Sequence, residues 1–273
     1  MSTTPVYGLV TSDADLAQKM SQLSVIMYEI KDVLGVHRTP LPDTVSMISC
    51  FSDNQWLKEH PDFVAVSKDG MTATRKEKYF DYDWVCPTRK EWQEKLLALV
   101  READRVGPVR LDTISFPREG FCFCPVCQTH WQQSGIADWE AWRASVITDF
   151  VRTCREMTDN QLYMTLYPDP IKHHHYVRFG VDIDAILPYI DCFVVPLYDL
   201  HYSVTYWLEA MAWGFRDMLQ KPFLIELYAC DTDPKRLAKA TQVAQHYADG
   251  VLFAYARKAE DIERVLDLVR NQP

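Results

Sequence analysis

Apolar residues in this chain recur as short runs, and all but one of those runs lead into a stretch with helical spacing. The runs are Val6 to Val10, Ser24 to Ile30, Val45 to Phe51, Val109 to Phe116, Leu162 to Tyr167, Cys192 to Tyr198, Phe223 to Ala229 and Val251 to Ala256. Each is rich in β-branched or aromatic residues and bounded by turn-forming ones, which marks a strand. Helical spacing follows over Ala14 to Leu23, Glu91 to Val106, Asp138 to Met157, Val181 to Ile190, Tyr206 to Leu219, Asp233 to Ala248 and Glu260 to Val269. Only the second strand lacks a good helix after it. Eight such units in 273 residues predict a closed (β/α)8, or TIM, barrel as a single domain over residues 1–273, because barrels of this kind need about 250 residues.

Two connections are too long to be simple turns. Residues 52–88 form an excursion in which Phe63 to Val66 and Met71 to Thr74 flank Lys68-Asp69-Gly70, a hairpin pattern. Residues 117–137 form a second, cysteine-rich loop after the fourth strand. Loops of such length in a packed domain usually serve a function.

Charge narrows the partners. With a formal net charge of -9 and basic residues scattered along helices, the chain would repel a polyphosphate, so nucleic acid is not an expected partner. Residues Met1 to Gly8 carry no basic segment leading into an apolar run, and no apolar stretch approaches the ~20 residues a membrane span requires. These features predict a soluble, cytoplasmic protein that does not enter membranes. Oligomeric state is not encoded in any feature of the sequence.

In a barrel of this kind the active site lies at the carboxyl ends of the strands, where residues of one parity face the mouth. On the fourth strand Arg110 and Asp112 share a parity opposite to Val109 and Leu111, and on the seventh Glu226 shares its parity with Tyr228. Asp112 and Glu226 are therefore expected to converge at the mouth. Glycoside hydrolysis needs such a pair, one protonated for the leaving oxygen and one anionic for the anomeric centre or its water. An apolar mouth would raise the pKa of the less solvated acid. The alternative is that both acids pair with Arg110, Lys31 or another base and only tie the barrel together.

Tyr28, Tyr167, Tyr198, Tyr228 and Tyr255 fall at or near strand ends, where aromatic faces can stack on sugar rings and phenols can bond to sugar hydroxyls. Trp56 joins them. Glu29, Asp53, Asn54, Asp169, Asp199 and His201 are expected on the same face as binders of substrate hydroxyls.

The segments Trp56-Leu57-Lys58-Glu59-His60-Pro61-Asp62-Phe63, Asp69-Gly70, Cys86-Pro87, Leu111-Asp112-Thr113-Ile114-Ser115-Phe116-Pro117 and Cys122-Phe123-Cys124-Pro125-Val126-Cys127 resemble the landmarks of the bacterial hypothetical glycosyl hydrolase-like TIM-barrel families. The resemblance is concentrated in residues 47–131. It implies a barrel related to the glycosidases built on this fold, with the strand-four aspartate of the family falling on Asp112. Ser115 stands where related sequences often have arginine, so no charge contact carries over to that position. Glu226 rests on its place in the seventh strand and not on a matched motif.

Cysteines supply a separate candidate site. Cys122, Cys124 and Cys127 have the spacing C-x-C-x-x-C, and Cys86 ends the neighbouring excursion. Four thiolates from adjacent loops can hold a tetrahedral zinc, while free thiols and disulfides are the alternatives; without an export signal, metal is favoured over disulfides. His130 or one of His173, His174 and His175 is an alternative fourth ligand. The spacing does not suit an iron–sulfur radical enzyme. Cys50, Cys154, Cys192 and Cys230 occur singly in apolar runs and read as core residues. The run His173-His174-His175 reads as a solvated loop. No Gly-rich phosphate cradle, nucleophile elbow or H-E-x-x-H is present, so no organic cofactor is expected.

The sequence thus predicts a glycoside hydrolase using Asp112 and Glu226 as acid/base and nucleophile on a carbohydrate substrate. The alternative is a catalytically inactive barrel that binds or senses carbohydrate.

Overall fold

Strand and helix periods separate cleanly in this chain because its inward and outward apolar sets are complementary. In the computed structural model, which describes residues 6–271, the strands are β1 (Val6–Thr11), β2 (Val25–Lys31), β3 (Val45–Ser49), β4 (Val109–Asp112), β5 (Leu162–Thr165), β6 (Cys192–Pro196), β7 (Phe223–Tyr228) and β8 (Gly250–Ala254). They pair in sequence order, all parallel, and β1 pairs with β8 from Val6↔Gly250 to Val10↔Ala254, which closes the ring. The expected (β/α)8 barrel is the fold.

Alternation along each strand builds two apolar layers. Val10, Met27, Val45, Met47, Val194, Leu224, Leu252 and Ala254 fill the barrel's interior. The opposite parity, including Leu9, Ile26, Ile48, Leu111, Phe193, Ile225 and Phe253, packs under the helices. Gly8 belongs to the inward set, where a Cβ would sit 2.5 Å from Val25 Cγ1 and 2.6 Å from Leu252 Cδ2. Any side chain there would push the first and last strands apart.

The outer helices are Ala14–Lys19, Lys90–Asp104, Trp139–Glu156, Tyr206–Met218, Pro234–Tyr247 and Ala259–Asn271. Side-chain caps start several of them: Asp13 accepts from the amides of Asp15 and Leu16, Asp138 from Ala141, and Asp233 from Arg236 with Pro234 at the first helical position. No helix is assigned between β2 and β3. The helix expected over Val181 to Ile190 is only one α turn, Ile183–Ile186, followed by a 3-10 turn over Leu187–Tyr189, because Pro188 has no N–H to continue the α pattern.

Two helices lie within stretches read as loops. Asn54–Glu59 is capped by Asp53, and Pro125–Ser134 begins with proline and ends at Gly135, whose φ is +72°. The excursion after β3 and the connection after β4 both rise over the carboxyl end of the barrel. No helix is long and apolar enough to cross a membrane among the described residues.

Candidate active site at the carboxyl end of the barrel

A cavity of about 230 Å3 opens at the carboxyl ends of the strands. Inward parity delivers its floor: Glu29 from β2, Ser49 from β3, Arg110 and Asp112 from β4, Thr165 from β5 and Glu226 from β7. Loops supply the walls, with Tyr82 from the excursion and Tyr167, His175, Tyr198 and Tyr255 from the segments beyond β5, β6 and β8.

Arg110 organises the charges. Its side chain is 1% exposed, with Nη1 2.6 Å from Glu226 Oε2 and Nη2 3.8 Å from Asp112 Oδ1. Nε donates to Thr165 Oγ1 at 3.0 Å, which sets the plane of the guanidinium. The phenol of Tyr198 donates to the other oxygen of Glu226. Asp112 is less enclosed, 15% exposed, with Ser49 Oγ 3.5 Å from its Oδ2. The sequence-derived alternative of pairing with Arg110 is thus also realised, since one buried base serves both acids.

Glu29 behaves differently. Burial, and then the charges of Asp112 and Asp32, push its carboxyl up to about 8 against the opposing pull of Arg38 and Arg110. The cavity therefore holds a protonated carboxyl near neutral pH beside two acids held by a cation. Burial also raises the phenols of Tyr198 and Tyr255 well above their usual range, so both remain donors.

Two residues of the cavity wall have strained backbones. Thr113, directly after β4, has φ +48°, and Tyr255, directly after β8, has φ +59°. A β-branched residue in this region is an outlier costing on the order of 1–3 kcal/mol, and such strain collects at functional sites.

The sequence-predicted residues divide into two sets. Asp112, Glu226, Glu29, Tyr167, Tyr198 and Tyr255 meet in this cavity. Tyr228 stands just behind, with its ring centroid 5.6 Å from that of Tyr198 and 6.5 Å from that of Tyr255. Tyr28 does not reach the cavity: it neighbours Glu29 on one strand, so it points the opposite way, into the layer under the helices. Asp53 and Trp56 line a separate cleft beside helix Lys90–Asp104. There Asp53 pairs with Lys31 at 3.2 Å and caps the following helix through Trp56 N at 2.7 Å. Asn54 accepts from the amide of Asp83, and Asp169 pairs with His174 and Arg178. Asp199, half-buried, turns back to accept from the amide of the exposed His201, and neither residue lines the cavity.

Arg110 and His175 were the residues that sequence reasoning undervalued. Arg110 had a signal, a charge on the inward parity of an otherwise apolar strand. The His173-His174-His175 run predicts a solvated loop, yet His175 is fully buried in a π-helical turn, His175–Phe179, and lines the cavity. Its Nε2 lies 2.6 Å from the backbone oxygen of Asp169, and its Nδ1 has no partner. Tyr82 had no signal, because its arrival depends on how the excursion folds.

The four candidate metal ligands do come together. Cys86, Cys122, Cys124 and Cys127 are buried, and their sulfurs lie within 4.8 Å of one another, a group able to hold a metal ion. Their site is separate from the cavity, and neither His130 nor His173 to His175 joins it.

No protein-family model and no curated protein sequence matches the chain. Solved structures do. α-L-Fucosidase isoenzyme 2 from Paenibacillus thiaminolyticus superposes with a TM-score of 0.69 at 13% identity, covering 98% of this chain and 49% of that one, so the chain spans about half the fucosidase's length. The glycoside hydrolase domain of PelA from Pseudomonas aeruginosa follows with a TM-score of 0.53 at 10% identity, covering 92% of this chain and 95% of that one. The α-galactosidase TtGalA from Thermus thermophilus, solved with stachyose, has a TM-score of 0.52 at 12% identity, covering 98% and 66% of the two chains. At these identities the likeness shows the fold, a (β/α)8 barrel of the kind on which these glycoside hydrolases are built.

Proposed function

We propose that the cavity binds a carbohydrate and hydrolyses a glycosidic bond. The observation that carries this reading is the convergence of Asp112, Glu226 and Glu29 around one buried arginine in a tyrosine-lined cavity at the carboxyl end of the barrel. Glu226, held by Arg110 and Tyr198, is the carboxylate that faces the anomeric carbon or its water. Asp112 and Glu29 form the proton-handling couple, in which the charge of Asp112 helps keep a proton on Glu29 near neutral pH. In the balanced reaction that proton passes to the leaving oxygen, while water adds to the anomeric carbon and restores a proton to the enzyme. The cavity is smaller than the ~300–1,000 Å3 of drug-sized pockets, which suits a single sugar ring. The stachyose bound in the α-galactosidase neighbour supports the same substrate class.

No step passes through the cysteines, because four thiolates would complete a zinc ion's coordination and leave no position for water.

A barrel that binds sugar without turnover is the second reading, favoured by the burial of Glu226, 1% exposed and already paired. Hydrolysis of aryl glycosides and oligosaccharides, assayed with Glu226→Gln and Asp112→Asn, separates the two. Loss of hydrolysis with retained sugar affinity is the expected result. If the wild-type protein binds a sugar and hydrolyses none of its glycosides, the binding reading replaces the enzymatic one.

A further inference from the structure

The four cysteines join two long segments whose buried residues, among them Ala65, Phe80, Trp84, Val85 and Phe121, belong to the layer packed around the barrel. Cys86 ends the excursion after β3, and the other three belong to the connection after β4. Cys86 Sγ lies 3.7 Å from Cys124 Sγ and 3.3 Å from Cys127 Sγ, and no pair is bonded. An ion bound tetrahedrally at about 2.3 Å by sulfur holds its ligands roughly 3.8 Å apart, so shifts of tenths of an ångström to an ångström suffice to seat one. Two disulfides would divide the sulfurs into pairs and give no reason for all four to share one envelope. A four-iron cluster would need its ligand sulfurs farther apart, since they attach to the outer corners of a cube.

Polar groups around the sulfurs suit thiolates. The Val66 amide donates to Cys122 Sγ at 3.3 Å, and Thr88 Oγ1 lies 3.1 Å from Cys86 Sγ and 3.2 Å from Cys127 Sγ. Donors of this kind orient metal-bound sulfur and spread its charge. Other links between the two segments are Phe123 N to Val66 O at 2.7 Å, Lys68 N to Gly120 O at 3.3 Å, the edge of Phe80 against Phe121, and the Arg118 guanidinium 4.8 Å from the ring centre of Tyr79.

We infer that Cys86, Cys122, Cys124 and Cys127 bind one Zn2+ ion that pins the excursion to the connection after β4, and thereby fixes the wall that Tyr82 adds to the cavity. Tyr82 lies four residues before Cys86 on the same strap. That ion acts on the cavity through position, not chemistry. The zinc site stands on the cysteine geometry, while its bearing on sugar binding rests on the carbohydrate reading.

Mass spectrometry of elements in protein dialysed against metal-free buffer tests the site, with about one zinc per chain expected. Less than a tenth of an equivalent, or iron in place of zinc, overturns it. The double variant Cys122→Ser/Cys127→Ser should lose the metal and Cys50→Ser should keep it; full zinc in the double variant overturns the ligand set. Should the double variant not fold, wild-type protein stripped with a strong chelator serves instead. On stripping, hydrogen exchange over residues 63–85 and 117–127 should speed at least tenfold while β6, β7 and β8 stay protected. No change, or equal change throughout the barrel, overturns the pinning role. Neither readout involves a sugar, so these results stand apart from the fate of the glycosidase reading.

Discussion

Arg110 Nη1 lies 2.6 Å from Glu226 Oε2 with both side chains 1% exposed, an ion pair sealed between the barrel's apolar interior and its cavity. Removing one partner of such a pair strands the other charge in a medium that cannot solvate it, at a cost of about 3–5 kcal/mol. Arg110→Met should therefore lower unfolding free energy in urea by that amount, more than Glu226→Gln, which leaves a neutral group able to accept from Arg110. The double variant Arg110→Met/Glu226→Leu should regain most of the loss. A double variant no more stable than Arg110→Met would mean the guanidinium acts through Asp112 and Thr165 instead.

Glu29 predicts a pH signature. Its folded-state pKa, about 8, exceeds its ordinary 4.5, so the native state holds a proton that the unfolded chain has already released. The folded state is then favoured most below about 4.5 and loses stability as pH rises toward 8, by up to on the order of 5 kcal/mol for this group. Glu29→Gln removes that dependence, and its melting temperature should exceed that of wild type by more at pH 8 than at pH 5. On the glycosidase reading, wild-type activity also falls as pH rises through about 8. Parallel melting curves for the two proteins from pH 5 to 8 would show that Glu29 titrates normally.

The inward turn of Asp112 and Glu226 was legible because strand parity is local: two residues apart means one face, and a lone acid among apolar neighbours announces that face. Tyr28 exposes the limit of counting strand ends without parity, since its neighbour Glu29 claims the mouth and leaves it to the outer layer. Asp53 and Trp56 were misplaced for another reason. They follow β3 in a helix whose direction is set by a buried lysine, Lys31, which shifts outward past the irregularity between Glu29 and Lys31 on β2. The cysteine quartet was readable from spacing on one loop, but Tyr82 and His175 reach the cavity through tertiary packing that no periodicity encodes.

Lys31 itself bears a prediction. Its ammonium, 1% exposed, sits 3.2 Å from Asp53 Oδ2 and donates to the carbonyls of Ser49 at 2.7 Å and Ser52 at 3.0 Å. It gathers the end of β3 and the start of the excursion onto one charge. Lys31→Met leaves these carbonyls without the ammonium and the Asp53 carboxylate buried without its cation, and should destabilise by about 3–5 kcal/mol in urea unfolding. Sugar affinity of the folded fraction should stay within about twofold of wild type, because the Asp53 cleft is distinct from the cavity. A large affinity loss at full stability would return Asp53 to the binding site.

His175 offers the sharpest test of how the cavity reads a ligand. Burial lowers its pKa, so the ring is neutral at pH 7, and the 2.6 Å contact with the Asp169 carbonyl places the ring proton on Nε2. Nδ1 is then a bare acceptor in the wall of a cavity, suited to a hydroxyl donor on the ligand. Replacing it with phenylalanine keeps the aromatic volume but removes both hydrogen bonds. Asparagine can retain one. Leaving a ligand hydroxyl buried without its acceptor costs about 1–3 kcal/mol, so His175→Phe should weaken sugar binding by roughly 5- to 150-fold in calorimetry. His175→Asn should recover part of that loss. A deoxy sugar lacking the matching hydroxyl should bind wild type and His175→Phe with equal affinity. If every deoxy analogue is still discriminated by the two proteins, Nδ1 contacts no hydroxyl and the ring serves only to fill the wall.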